Sequence, residues 1–403
     1  MVVNTRTRTL TFTRTLNVPP PVVYRAFTKA MAVREWLADS AYLEARENGP
    51  LLLGWRAGYV VAGNFTALKE NARVAFTWQG RGEPGMTEVE VLLSAAGAGT
   101  EIVVRHSGVS DDPAWEAAAE EFRKGWESGL ENLQSILETG LDQRIMRRPM
   151  LGIGPSPLDP KTAAKLGIPV EKGVYLDGVI EGGGAHKAGL RAQDVIVSID
   201  GHPVFDFASL VGALNGRVAG DTVSVDYYRG KDKVNVPMIL AGRPAPDVPA
   251  DPAQLAERVA AVYGELDAEL DALLSGVTDA EASHQPEEGE WNVKEVLAHL
   301  IWTERFAQMW AWGTVGGDDD FAWPDNNRMQ LTPLLAVYHT AGELAAELKR
   351  AEAGTVAAVA AMPADFLQYK GSYLRLGQFI TSFAQHTRDH FEQMRAAVKA
   401  ARG

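Results

Sequence analysis

Cysteine is absent from the 403 residues. That excludes a disulfide framework, a cysteine nucleophile and any thiolate ligand to a metal. Metal chemistry would fall to histidine, carboxylate or water, and thiol chemistry to an external small thiol. Long apolar runs are also missing, since no stretch approaches the roughly 18 unbroken apolar residues of a membrane helix. The opening MVVNTRTRTLTFTRTL alternates Thr and Arg with apolar residues and lacks the apolar centre of a signal peptide. A cytoplasmic location with no membrane partner is the expectation. Positive charge is in deficit: the net charge is −13, which disfavours a nucleic-acid partner. The deficit belongs to the C-terminal part, where residues 251–403 hold 12 Lys and Arg against 23 Asp and Glu, leaving 27 against 29 for the first 250.

What is present is ordinary for a globular chain, with 46% hydrophobic and 23% charged residues. At about 100–150 residues per domain, the length predicts two to four domains. Residues 1–143 read as an α+β unit. Leu10, Phe12, Leu16 and Val18 alternate with threonines, the period of a half-buried strand. Pro19 to Pro21 then open a helix through Val23, Phe27 and Trp36. Short strands follow at Tyr59–Leu68, Arg73–Gln79, Thr87–Leu93 and Glu101–His106, and a long helix carries Trp115, Phe122, Trp126, Leu130, Leu133 and Leu137 on one face. The stretches AMAVREWLA, GNFTALKENARVAFTW, TEIVVRHSGV and GWESGLENLQSILETG resemble the helix-grip, or START-like SRPBCC, fold in its branch related to the activator of the heat-shock-protein ATPase. The resemblance implies a sheet wrapped round the last helix and an apolar small molecule as partner, with a cochaperone role as the weakest reading. It brings no shared catalytic set. His106, with no paired carboxylate, reads as structural, and Trp36, Trp55, Trp78 and Trp126 read as core before pocket.

Residues 147–243 change to a Gly-rich pattern with short Val and Ile runs. MLGIG, GVYLDGVIEGGGAHKAGLRAQDVIVSIDGHPV and DTVSVDYYRG resemble a bacterial PDZ domain. That resemblance implies a peptide C-terminus, or an internal strand, added beside a loop at Leu151, Gly152 and Ile153 and walled by a helix over Phe207–Leu214 that includes Leu210. No Ser/His/Asp protease unit accompanies it. The run RPAPDVPADP predicts an extended linker over residues 244–252.

Residues 253–403 read as helical. Asn292 with Glu295 three residues on is a capping-box signal for a helix with Val296, His299, Thr303, Phe306 and Trp310 on one face. Leu334, Tyr338, Ala341, Ala345 and Leu348 mark another helix. The last runs over Leu376–Ala400, where Phe379, Phe383, His386, His390 and Met394 recur on one face. Two imidazoles one turn apart on an apolar face are costly to desolvate without a partner, and fit either a hydrogen-bonded core or a metal. Glu304 and Asp389 are candidates to orient an imidazole, and the loop from Trp312 to Thr332, with Asp318–Asp320 and Trp323, is a candidate cover for the bundle's mouth. EWNVKEVLAHLIWTE and FAQHTRDHFEQM resemble the DinB-like family, which includes thiol-dependent S-transferases and maleylpyruvate-isomerase relatives. The resemblance implies a divalent transition metal, zinc or nickel foremost, on His299, His386 and His390, with a small thiol as a cosubstrate.

The expected fold class is therefore multidomain α+β: a helix-grip α+β domain, a small β-rich PDZ domain and an all-α four-helix bundle. The expected function is a ligand- and peptide-binding protein with a three-histidine metal site. A metal-dependent transferase or hydrolase is the alternative, and no catalytic residue is assigned.

Overall fold

The computed structural model describes residues 6–318 and 327–403. The threonine alternation forms strand β1 (Thr7–Leu16). The single helix expected up to Trp36 is two, α1 (Pro20–Thr28) and α2 (Ala30–Trp36), because Lys29 between them takes an extended backbone (φ −116°, ψ 126°). β2 (Ser40–Leu43), β3 (Pro50–Gly54), β4 (Val60–Lys69), β5 (Arg73–Gly80), β6 (Thr87–Ala96) and β7 (Gly99–Ser110) follow. Together with β1 they form one antiparallel sheet in the order β1-β7-β6-β5-β4-β3-β2. Helix α3 (Glu116–Thr139) buries Phe122, Trp126, Leu130, Leu133, Ile136 and Leu137 in the same core as the inner strand residues.

His106 is fully buried in that core. The Trp126 indole N–H donates to its Nδ1 (3.0 Å), and its Nε2 lies 2.7 Å from the Thr87 hydroxyl. Desolvation pushes its pKa down to about 4. It is a neutral structural imidazole. Trp36, Trp78 and Trp126 are buried and Trp55 packs against them. Trp78 lies 5.9 Å from Trp126 and 6.3 Å from Trp55, both pairs tilted, so these rings pack on one another.

Residues Asp142–Ala245 form a compact unit of their own. Its elements are α4 (Gln143–Met146), β8 (Ile153–Pro157), α5 (Pro160–Leu166), β9 (Val174–Val179), α6 (Gly184–Lys187), β10 (Asp194–Ile199), β11 (His202–Pro203), α7 (Phe207–Ala213), β12 (Thr222–Arg229) and β13 (Asp232–Ile239). The sheet runs β13-β12-β10-β9-β8, with β11 beside β10. Strand β8 thus lies at an edge, and helix α7 packs against it.

The other compact unit joins Met1–Leu141 to Pro246–Gly403. In its second part, α8 (Pro252–Leu274), α9 (Asp279–Ala282), α10 (Val293–Gly316), α11 (Arg328–Val337), α12 (Ala341–Ala360) and α13 (Lys370–Arg402) follow in order. The four long helices form the bundle, α10 and α8 each packing on both α12 and α13. The stripe from Leu334 to Leu348 is not one helix. Tyr338 is extended, and Thr340 starts α12 with a capping box in which its hydroxyl accepts from the Glu343 N–H. Trp312 belongs to α10, which runs to Gly316 and ends at Gly317 in the left-handed region (φ 85°). Of the expected covering loop, Asp319, Asp320 and Trp323 lie outside the described residues. The segment read as an extended linker is held in its second half: Val248 packs against the bundle core, and the Pro249 carbonyl accepts from Tyr373 Oη (2.7 Å). No described helix is long and apolar enough to cross a membrane.

Candidate metal centre and peptide groove

Two helices bring the three histidines together. Asn292 caps α10, accepting from the Glu295 N–H (3.0 Å) while Glu295 accepts from the Asn292 N–H (3.0 Å). This begins the helix so that His299 turns inward, 2% exposed, among Val296, Leu300 and Thr303. Helix α13 presents His386 and His390 one turn apart on the face packed against α10. One nitrogen from each imidazole lies within 4.8 Å of the other two. Ring centroids are 5.5 Å apart for His299 and His386, 4.7 Å for His299 and His390, and 4.6 Å for His386 and His390.

The surroundings are apolar. Trp291 lies 5.0 Å from His299 and stacks on His390 at 6.5 Å, and Phe383 lies 6.3 Å from His386. Burial pushes the His299 pKa down to about 4, with like charge from His390 and His386 adding to it. The His386 pKa is also lowered, by burial first and then by like charge from His390, with the Asp389 charge opposing. Both are therefore neutral near pH 7, the form in which an imidazole offers a lone pair. The Nδ1 atoms of His299 and His386 are buried and find no hydrogen-bond partner among the described residues. His390 Nδ1 lies 2.9 Å from Gln393 Oε1. Since an amide oxygen only accepts, that Nδ1 carries the hydrogen and leaves Nε2 free.

The carboxylates expected to orient these rings do something else. Asp389 is exposed and accepts from Gln385 (2.8 Å). It faces away because it precedes His390 by one residue, about 100° round the helix. Glu304 accepts from Tyr263 Oη (2.9 Å) and from the Thr355 hydroxyl, joining α10 to α8 and α12. The orienting group is Gln393, three residues after His390 on the same face, a spacing readable from the sequence.

In the second unit Gly152 takes a left-handed conformation (φ 74°) that suits glycine, and Ile153 opens β8. The Leu151 and Gly152 carbonyls accept from Ala185 (2.8 Å) and Ile180 (2.8 Å), whereas their own N–H groups donate to no protein atom among the described residues. Leu210 is 3% exposed and belongs to the core with Val204 and Val223. A core position was not the expectation for this residue. The apolar side chains that α7 leaves in solvent are Phe207 (59% exposed) and Val211 (47%), one turn apart.

Comparison with known proteins divides the chain in the same order. Residues 17–138 match the family model of the activator of Hsp90 ATPase homolog 1-like proteins, residues 149–240 that of the PDZ domain, and residues 263–394 that of the DinB superfamily. Among curated proteins, the probable periplasmic serine protease do/HhoA-like of Haemophilus influenzae is 31% identical over 108 residues, 27% of this chain and 22% of that protein. The periplasmic serine endoprotease DegP of Escherichia coli is 30% identical over 95 residues, 24% of this chain and 20% of that protein. The chain therefore spans about a fifth of the length of these relatives. Among solved structures, an HSP90 activator from Plasmodium falciparum is 23% identical with a TM-score of 0.29, the match covering 32% of this chain and 96% of that one.

Proposed function

We propose that the bundle holds a divalent transition metal on His299, His386 and His390, in a protein otherwise built for binding. The observation that carries this reading is the convergence of three imidazoles, two with buried Nδ1 atoms that lack a partner. A buried lone pair without a donor costs free energy that an ion would recover. An all-nitrogen donor set fits zinc or nickel. When bound, such an ion supplies Lewis acidity at the coordination positions that three protein ligands leave open. The chain's own contribution is to hold the imidazoles neutral by desolvation, to fix the His390 tautomer through Gln393, and to wall the site with Trp291 and Phe383.

The test is elemental analysis of the purified protein, before and after reloading with zinc or nickel. About one equivalent is expected in the natural chain and none in a His386→Ala, His390→Ala variant. Absence of stoichiometric metal after reloading would overturn the proposal. The three-ligand set also supports the alternative of a metal-dependent transferase or hydrolase with a small thiol as cosubstrate. Binding of such a thiol only to the loaded protein, followed by calorimetry, separates this reading from a purely binding role.

A second reading concerns Asp142–Ala245. The edge position of β8 and the undonated N–H groups at Leu151 and Gly152 support capture of a peptide by its terminal carboxylate at that loop.

A further inference from the structure

Two prolines give this peptide groove an unusual edge. Along a strand, successive residues turn their N–H and C=O to opposite sides. On β9 the Leu176 carbonyl accepts from the Gln193 N–H at 2.8 Å, so Leu176 turns its polar backbone toward β10. Val174, two residues earlier and opposite Ile196, does the same. Across β8 and β9 the partners of Leu176 and Val174 are Pro155 and Pro157. Those two pairs make no bond between the strands, and both prolines turn nitrogen and carbonyl to the free edge. Ile153 also faces outward, because Gly152 before it is bonded inward to Ile180.

From its start, then, the free edge offers the N–H and carbonyl of Ile153, just after the loop in which the N–H groups of Leu151 and Gly152 donate to no protein atom among the described residues. Beyond Ile153 it offers carbonyls alone. Proline has no hydrogen to donate, and its ring carbon stands where that hydrogen would be. A strand approaching to the usual spacing of about 4.8 Å meets that carbon. Both prolines are exposed, so no other part of the unit covers them.

We propose that Pro155 and Pro157 restrict this groove to the last residue of a peptide. The carboxylate goes to the N–H groups of Leu151–Ile153, and that residue's own N–H goes to the Ile153 carbonyl. Its side chain meets the apolar residues that α7 leaves exposed, Phe207 and Val211. Residues further back find neither a donor nor room to pair. The partner is a flexible protein tail with a free carboxylate and an apolar final residue, read for that residue and not for the sequence before it. This rests on the peptide reading above.

The experiment titrates the full chain, and a Pro155→Val, Pro157→Val variant checked for fold by circular dichroism, with N-acetyl peptides of three, five and nine residues. Each length ends in valine, leucine or phenylalanine, as free acid and as amide. For the natural chain the expected affinity for free acids changes by no more than about twofold with length and is lost on amidation. The variant is expected to bind the nine-residue peptide about fivefold tighter than the natural chain, near the worth of one regained hydrogen bond. A rise of tenfold or more with length in the natural chain, or no gain in the variant, would overturn the proposal and leave the peptide reading standing. If neither form binds any peptide, the peptide reading itself falls and takes the proposal with it.

Discussion

At the scale of the residue, burial decides what each ionisable group does. His106 and His299 are both driven to about pKa 4 mainly by desolvation, yet only His106 has both ring nitrogens bonded. His299 keeps an orphaned Nδ1, and that difference separates a structural histidine from a candidate ligand. Carboxylates are buried too. Glu352 is 4% exposed on α12, and one of its oxygens lacks a partner. Its pKa is raised by burial first and then by the charges of Asp267 and Glu304. The folded form therefore keeps a proton that the unfolded form releases above the ordinary glutamate range, so stability falls as pH rises through that window. Glu352→Gln removes this effect. It is expected to stabilise the bundle by on the order of 1 kcal/mol at pH 8 and to leave it unchanged at pH 4, measured by urea denaturation at both values.

At the scale of the element, capping chemistry outweighs the apolar stripe. Asn292 with Glu295 announced α10 correctly because the capping box is a local bond pair that four residues specify by themselves. The same kind of box, Thr340 with Glu343, breaks the stripe from Leu334 to Leu348 into two helices. Both halves of that stripe still bury their apolar residues, so periodicity alone had no means of detecting the break. Asn292 also sets the start of the helix that carries His299. Asn292→Ala is expected to cost about 1 kcal/mol of stability. Its effect on metal content should be small, since Val293, Val296 and Leu297 still anchor that end in the core. Denaturant titration and elemental analysis check the two halves of this expectation.

At the scale of the molecule, the helix-grip module and the bundle form one unit although the PDZ unit separates them in sequence. Helix α13 packs against α3 and α2. The Glu35 carboxylate accepts from Ser372 Oγ (2.6 Å) and pairs with Arg375 (3.5 Å), and Arg25 lies over the Tyr369 ring at 4.1 Å. Gly371 makes this approach possible: a Cβ there would stand 2.9 Å from Ile136 and 3.0 Å from Glu35. Gly371→Leu is therefore expected to lower stability by about 1–3 kcal/mol and to split one calorimetric transition into two. A single unshifted transition in the variant would mean that the close approach at Gly371 contributes nothing to the coupling of the two modules.

The sequence by itself determined the three modules, the cap of α10 and the inward faces of His299, His386 and His390. Strand alternation, helix stripes and capping boxes are set by residues a few places apart, and each is written locally. Only the tertiary structure decided that those three imidazoles meet and that Glu304 serves a separate buried network. It also decided that Leu210 lies in the core, that Pro155 and Pro157 face a free edge, and that the first and last modules share one unit. Each of these depends on which face of an element meets a partner distant in sequence. That choice is made by packing and desolvation over the whole core, and neighbouring residues do not specify it.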